Sequence, residues 1–203
     1  PRKTETADKC HQHIALLPGT DGALVLGLMH ELIANDWLDH DYIDRYTEGW
    51  AGLRDRALQW PPERAAAVCG ITPDEVRGLA RDYATTRPAA IRANYGLQRV
   101  RGGGNAVRLI AILPALTGAW RDPAGGFLLS SSNWLRVDRD ALQRPDLLAG
   151  RTPRSINMVQ IGRALTDPKH DPPLEALVVY NSNPVAIAPS QNLVLGGLRR
   201  EAL

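Results

Sequence analysis

The sequence predicts an α/β fold: a Rossmann-like, mostly parallel sheet flanked by helices. Two observations carry this expectation. A short apolar strand, a polar or Gly-rich turn and an apolar helix follow one another three times along the chain, and such repeats imply a parallel sheet with helices on its faces. The 203 residues, 44% of them hydrophobic, also suffice to bury a core. The whole of 1–203 reads as one α/β region.

The first repeat runs from "HIALL" (13–17) through "PGTD" into a helix over about 22–34. The second runs from "AAIRANY" (89–95) through "GLQRVRGGGN" into a helix over about 106–117. The third starts as "EALVVYNSN" (175–183), turns through "PVAIAPSQ" and enters a helix near Gln191. Strands at about 13–17, 89–94 and 176–181 should then lie parallel, with Thr20, Gln98 and Asn183 together beyond their carboxyl ends, where ligands of open α/β sheets gather.

Between the first two repeats the chain reads as helical. "DYIDRYTEGW" and "AGLRDRALQW" are short helices, and "PPERAAAVCG" is another, with prolines at its start and Gly70 at its end. "ITPDEVRGLARDYA" carries the fullest signal: Thr72 as cap, Pro73 in the first turn, Glu75 closing a capping box, and Val76, Leu79, Ala80 and Tyr83 on one face. Residues 121–155 have Gly, Pro and Ser with no sustained period and read as an irregular excursion, which compact domains keep for binding or partner contacts. "INMVQIGRAL" (156–165) is the helix before the third repeat. The five tryptophans read as packing residues.

Composition excludes several functions. The net charge is +2 on 24 basic and 22 acidic residues spread along the chain, which argues against nucleic acid as partner. The longest apolar run, 23–29, falls far short of the roughly 20 residues that span a bilayer, so no membrane insertion is expected. Cys10 and Cys69 lie far apart and outside any ligand spacing, against a disulfide framework and in favour of a reducing compartment, cytoplasmic before periplasmic. Both ends suggest a piece of a longer chain: no initiator Met precedes Pro1, and the final "LGGLRREAL" stops inside a helix pattern.

Three turns carry candidate chemistry. In Gly19-Thr20-Asp21 a helix start behind a Gly turn presents N–H groups that suit an anion such as a diphosphate, while Thr20 or Asp21 could equally be an ordinary cap. In "QRVRGGGN" the glycines permit positive φ and close backbone approach, and Arg99 and Arg101 add charge; a flexible turn is the alternative. "YNSNPV" offers Asn181, Ser182 and Asn183, which both donate and accept, or simply make a turn. Neither GxGxxG nor GxxxxGK[ST] occurs, so ordinary NAD and ATP sites lose ground. His11 and His13 alternate along an extended run but lack a third metal ligand, and His30-Glu31 lacks the second His of a zinc-protease helix, since Ala34 stands there.

Taken in order, "PRKTETA", "HIALLPGTDGALVLGLMHELI", the stretch from "PPERAAAVCG" to "LTGAW", and "VVYNSNPVAIAPSQN" resemble the molybdopterin oxidoreductase family, the dimethyl sulfoxide reductase superfamily. The resemblance covers nearly the whole chain and is weakest over 128–155. It implies the middle of a catalytic subunit that holds molybdenum or tungsten between two molybdopterin guanine dinucleotides, with an iron-sulfur cluster outside this stretch. By the same resemblance Arg2, in the Pro-Arg pair, together with Gly19, Thr20 and Asp21 seats one nucleotide. Tyr95, Gln98 and Arg99 approach the pterin, and Asn181, Ser182 and Asn183 seat the second nucleotide. The implied partners are the rest of the same subunit and an electron-transfer subunit. Cys10 and His11 stand where the family often has Ala-Asp, and Val100 where it often has His; no catalytic residue and no metal ligand is assigned. A stand-alone α/β module that binds a nucleotide or a partner without redox chemistry is the competing reading.

Overall fold

The computed structural model describes residues 2–132, 134–201 and 203; Pro1, the first half of the Pro-Arg pair, lies outside them. The chain divides into two compact units, Pro1–Arg136 and Val137–Leu203. The fold is mixed α/β, rich in helix, with a small parallel sheet.

The first unit contains α1 (Glu5–Asp8), α2 (Asp21–Ala34), α3 (His40–Tyr46), α4 (Trp50–Leu58), α5 (Pro62–Cys69) and α6 (Pro73–Thr85). Then come β1 (Ala90–Arg92), a 3₁₀ turn (Tyr95–Arg99), α7 (Gly103–Leu116) and β2 (Gly126–Leu128). The apolar sequence "ALVLGLMHELI" lets α2 bury more than one side: Val25, Leu26, Leu28, Met29 and Leu32 are all buried, and α4, α5, α6 and α7 pack around it. The capping box of α6 forms as its sequence predicts, with the Thr72 hydroxyl accepting from Glu75 N–H at 3.2 Å and the Glu75 carboxylate accepting from Thr72 N–H at 2.8 Å. Its Val76 and Ala80 face the core.

The sheet differs from expectation. Among the described residues it has two strands, β1 and β2, paired parallel with Ile91 opposite Phe127. Residues 13–17 join no ladder; Leu17 N–H donates instead to Cys69 O at the end of α5, 2.9 Å away. Residues 176–181 are likewise unpaired, with Val178 92% and Tyr180 90% exposed. The second strand comes from inside 121–155, where the sequence pattern predicts only an irregular excursion. What stands of the repeated plan is one β–α–β unit, β1–α7–β2. Its helix starts three residues earlier than expected, since Gly102, at φ 76°, caps it and Gly103 and Gly104 form its first turn.

The second unit holds α8 (Arg139–Gln143), α9 (Ile161–Thr166), α10 (Pro184–Ile187) and α11 (Gln191–Leu198). Its core is the contact of α9 with α11, where Leu165 and Val194 are fully buried. Trp37, Trp50 and Trp60 pack against the core of the first unit as expected. Trp134 does not: it is 76% exposed.

Candidate functional site

The Pro18–Asp21 turn is built by Gly19, whose φ of 83° lies in the left-handed region. Of the two readings of this turn, the side-chain cap by Thr20 does not form. Thr20 Oγ1 turns back to donate to Leu17 O at 2.7 Å, and Asp21 makes no side-chain hydrogen bond among the described residues. The N–H groups of Asp21 and Gly22 are therefore left without an acceptor among the described residues. Beneath the turn, the buried Cys69 thiol donates to Thr20 O at 3.5 Å, and burial pushes its titration above the usual thiol range. The cysteine acts as a prop here.

The start of α7 has the same character. Gly102 provides no side chain to cap it, and Gly104 N–H and Asn105 N–H have no acceptor among the described residues. The two starts adjoin. A Cβ at Gly19 would lie 3.7 Å from Val100 Cβ, and one at Gly22 would lie 3.8 Å from Ala106 Cα. At the far end the chain just past α2 meets the end of α7, where Asp39 N–H donates to Leu116 O at 2.8 Å. The helices thus run side by side in the same direction, and their positive dipole ends open at one place. Gln98 and Arg99 are exposed beside it and form no hydrogen bond or ion pair among the described residues. Two helix starts thus present backbone donors at one place, an arrangement suited to a diphosphate.

The carboxyl ends of β1 and β2 lead into the same neighbourhood. Asn94 Oδ1 accepts from Tyr95 N–H at 2.8 Å and starts the 3₁₀ turn. The Arg92 guanidinium donates to Leu128 O at 3.2 Å and Leu129 O at 2.5 Å, tying the two strand ends together. Tyr95 Oη is 2.7 Å from Ser130 Oγ and 3.2 Å from Ser132 Oγ, and the serine hydroxyls are 2.8 Å apart. Ser130 and Ser132 were not foreseen; a run of Ser after the apolar "FLL" was the available signal. Hydrogen bonds from Ser130 and then Ser132 hold the Tyr95 phenol below the usual tyrosine range. Removing both hydroxyls in a Ser130→Ala/Ser132→Ala variant should raise the Tyr95 titration midpoint. Ultraviolet titration against Tyr95→Phe reads this, and an unmoved midpoint would refute the cluster.

Arg2 is exposed and makes no hydrogen bond or ion pair among the described residues. In the second unit, Asn181 has a φ of 49°, and Asn183 Oδ1 accepts from Ala186 N–H at 3.2 Å. Asn183 is the cap of α10, while Asn181 and Ser182 are exposed beside it. Among the described residues no three His, Cys, Asp or Glu converge as metal ligands, and no helix is long and apolar enough to cross a membrane.

No protein-family model matches the chain. The sequence is similar to a probable oxidoreductase, YoaE, of Bacillus subtilis, with 42% identity over 201 residues covering 99% of this chain and 29% of the relative. It is similar to the dimethyl sulfoxide reductase DmsA of Escherichia coli, with 32% identity over 138 residues covering 58% of this chain and 17% of that one. Among solved structures it matches acetylene hydratase from Pelobacter acetylenicus at a TM-score of 0.58 and 28% identity, over 61% of this chain and 17% of that chain. The chain thus spans less than a third of the length of these relatives.

Proposed function

The chain belongs to the molybdopterin oxidoreductase family, and on that premise we propose that it is the cofactor-holding part of a molybdenum or tungsten oxidoreductase subunit. The observation that carries this reading is the pair of adjoining, uncapped helix starts at Asp21 and Gly103. Their free N–H groups are the donor set that a dinucleotide's diphosphate needs. Gly19, Thr20 and Asp21, with Arg2, would hold the nucleotide end of one molybdopterin guanine dinucleotide, Tyr95, Gln98 and Arg99 its pterin side, and Asn181, Ser182 and Asn183 the second nucleotide. When bound, the metal centre supplies two-electron chemistry by oxygen-atom, sulfur or hydride-equivalent transfer.

This chain's own share is binding, orientation and electrostatics. The helix starts offset phosphate charge, the exposed guanidinium of Arg99 adds to that field, and the Tyr95 hydroxyl cluster fixes a donor at the strand ends. Asp21 cannot favour a phosphate; its free carboxylate suits a ribose hydroxyl or a guanine N–H. The expected partners are the remainder of the subunit, an iron-sulfur cluster held there, and an electron-transfer subunit. The 203-residue chain alone should neither retain metal nor turn over substrate, because such a site needs its full set of ligands and their supports.

Asp21→Asn in the full-length protein tests the assignment. The swap keeps a polar side chain at the helix start, so the apo-protein should lose at most roughly 1 kcal/mol. Presenting an amide to a ligand donor in a desolvated site should weaken cofactor retention by about 1–3 kcal/mol. Metal loading should therefore fall while the apo melting temperature stays nearly fixed. Unchanged loading would reduce the turn to a helix start.

A further inference from the structure

A cleft of about 590 Å³ opens in the first unit between α2, α4 and α7, and the cofactor reading leaves it unused. Its floor is apolar: Leu26 from α2, Trp50 and Leu53 from α4, Leu109 and Ile112 from α7. Leu109, Ile112 and Leu116 recur at helical spacing, so α7 turns a continuous apolar row into the cleft. Gly52, on α4, lines the cleft, and a Cβ there would meet no atom within 4 Å. The polar lining is Thr47, Glu48, Arg56, Asn105 and Arg108. Arg56 donates only to Gln59, at 3.4 Å, and Arg108 makes no ion pair or hydrogen bond among the described residues. Two guanidiniums against one carboxylate leave the lining net positive.

We propose that this cleft is a second binding site, for an amphiphilic anion: a small molecule with a ring-bearing or chain-like apolar body and a carboxylate or sulfonate head. The volume lies in the range of small-ligand pockets, which pair an apolar lining with a few convergent polar groups. The apolar body covers the row on α7 and lies against the Trp50 ring. The head is the counter-ion of Arg108 and Arg56, whose forked donors match a planar oxyanion. A cation would meet the two guanidiniums as like charges, and a neutral ligand would bind through the apolar row alone.

The probe is 8-anilinonaphthalene-1-sulfonate, titrated into full-length protein by fluorescence, with neutral N-phenyl-1-naphthylamine as its uncharged counterpart. Saturable binding of both is expected. Gly52→Phe adds a ring to the cleft's lining, where a Cβ meets no atom within 4 Å, and should weaken both probes at least about tenfold with the melting temperature held. Arg108→Gln should weaken the sulfonate about two- to fivefold, as suits a solvent-accessible ion pair, and leave the neutral probe unchanged. Three results would overturn the proposal: no saturable binding in the full-length protein, which would mean that other polypeptide covers the cleft; binding indifferent to Gly52→Phe; or equal loss of both probes in Arg108→Gln.

Discussion

Leu32→Ala should destabilise the chain by about 2–5 kcal/mol, the range for truncating a large buried aliphatic side chain. Leu32 has no exposed surface. It lies in the core cluster with Met29, Ile43, Val76 and Leu113, which come from α2, α3, α6 and α7. The cavity would open where these helices meet, and none of them can collapse into it without leaving another partner. Urea unfolding should show a lower midpoint at nearly unchanged slope. A midpoint within experimental error of the wild type would mean that α2 is not the central helix.

Gly103→Ala should cost about 1–3 kcal/mol through overpacking and lower cofactor loading of the full-length protein as well. A Cβ at Gly103 would sit against Leu97 O, 2.7 Å from Gln98 Cα and 2.9 Å from Gln98 C. These are backbone atoms, which cannot rotate away, so the Tyr95–Arg99 turn must move as a body. The free N–H groups at the start of α7 would move relative to those of α2. Gly104→Ala is the matched control: its Cβ would meet nothing within 4 Å, and alanine favours the helix by up to about 1 kcal/mol. Equal melting temperatures for the two variants would contradict the close approach of turn and helix.

How far the fold could be read from sequence depended on whether its signals were local. The cap, proline, capping box and apolar face of α6 lie within one continuous segment, and its structure follows them. The strands were less legible, because a short apolar run marks a candidate strand without naming its partner. Residues 13–17 join no ladder, and Leu17 N–H goes to the carbonyl of Cys69 instead. Strand β2 has three residues, too few to show a period.

The candidate site divides the same way. Gly19–Asp21 and Tyr95–Arg99 stood out as turns that precede helices, and the structure brings those two turns together through Val100 and Ala106. That Thr20 would forgo its capping bond for Leu17 O was invisible, since both geometries use the same residue. Ser130 was missed because its partner, Tyr95, is 35 residues away along the chain and close only once β1 and β2 pair.

Metal and nucleotide analysis of the purified full-length protein tests the central claim most directly. Denaturing the protein should release molybdenum or tungsten together with a pterin and guanine nucleotide in stoichiometric amount. A folded full-length protein from metal-replete cells that yields neither metal nor guanine nucleotide would contradict it.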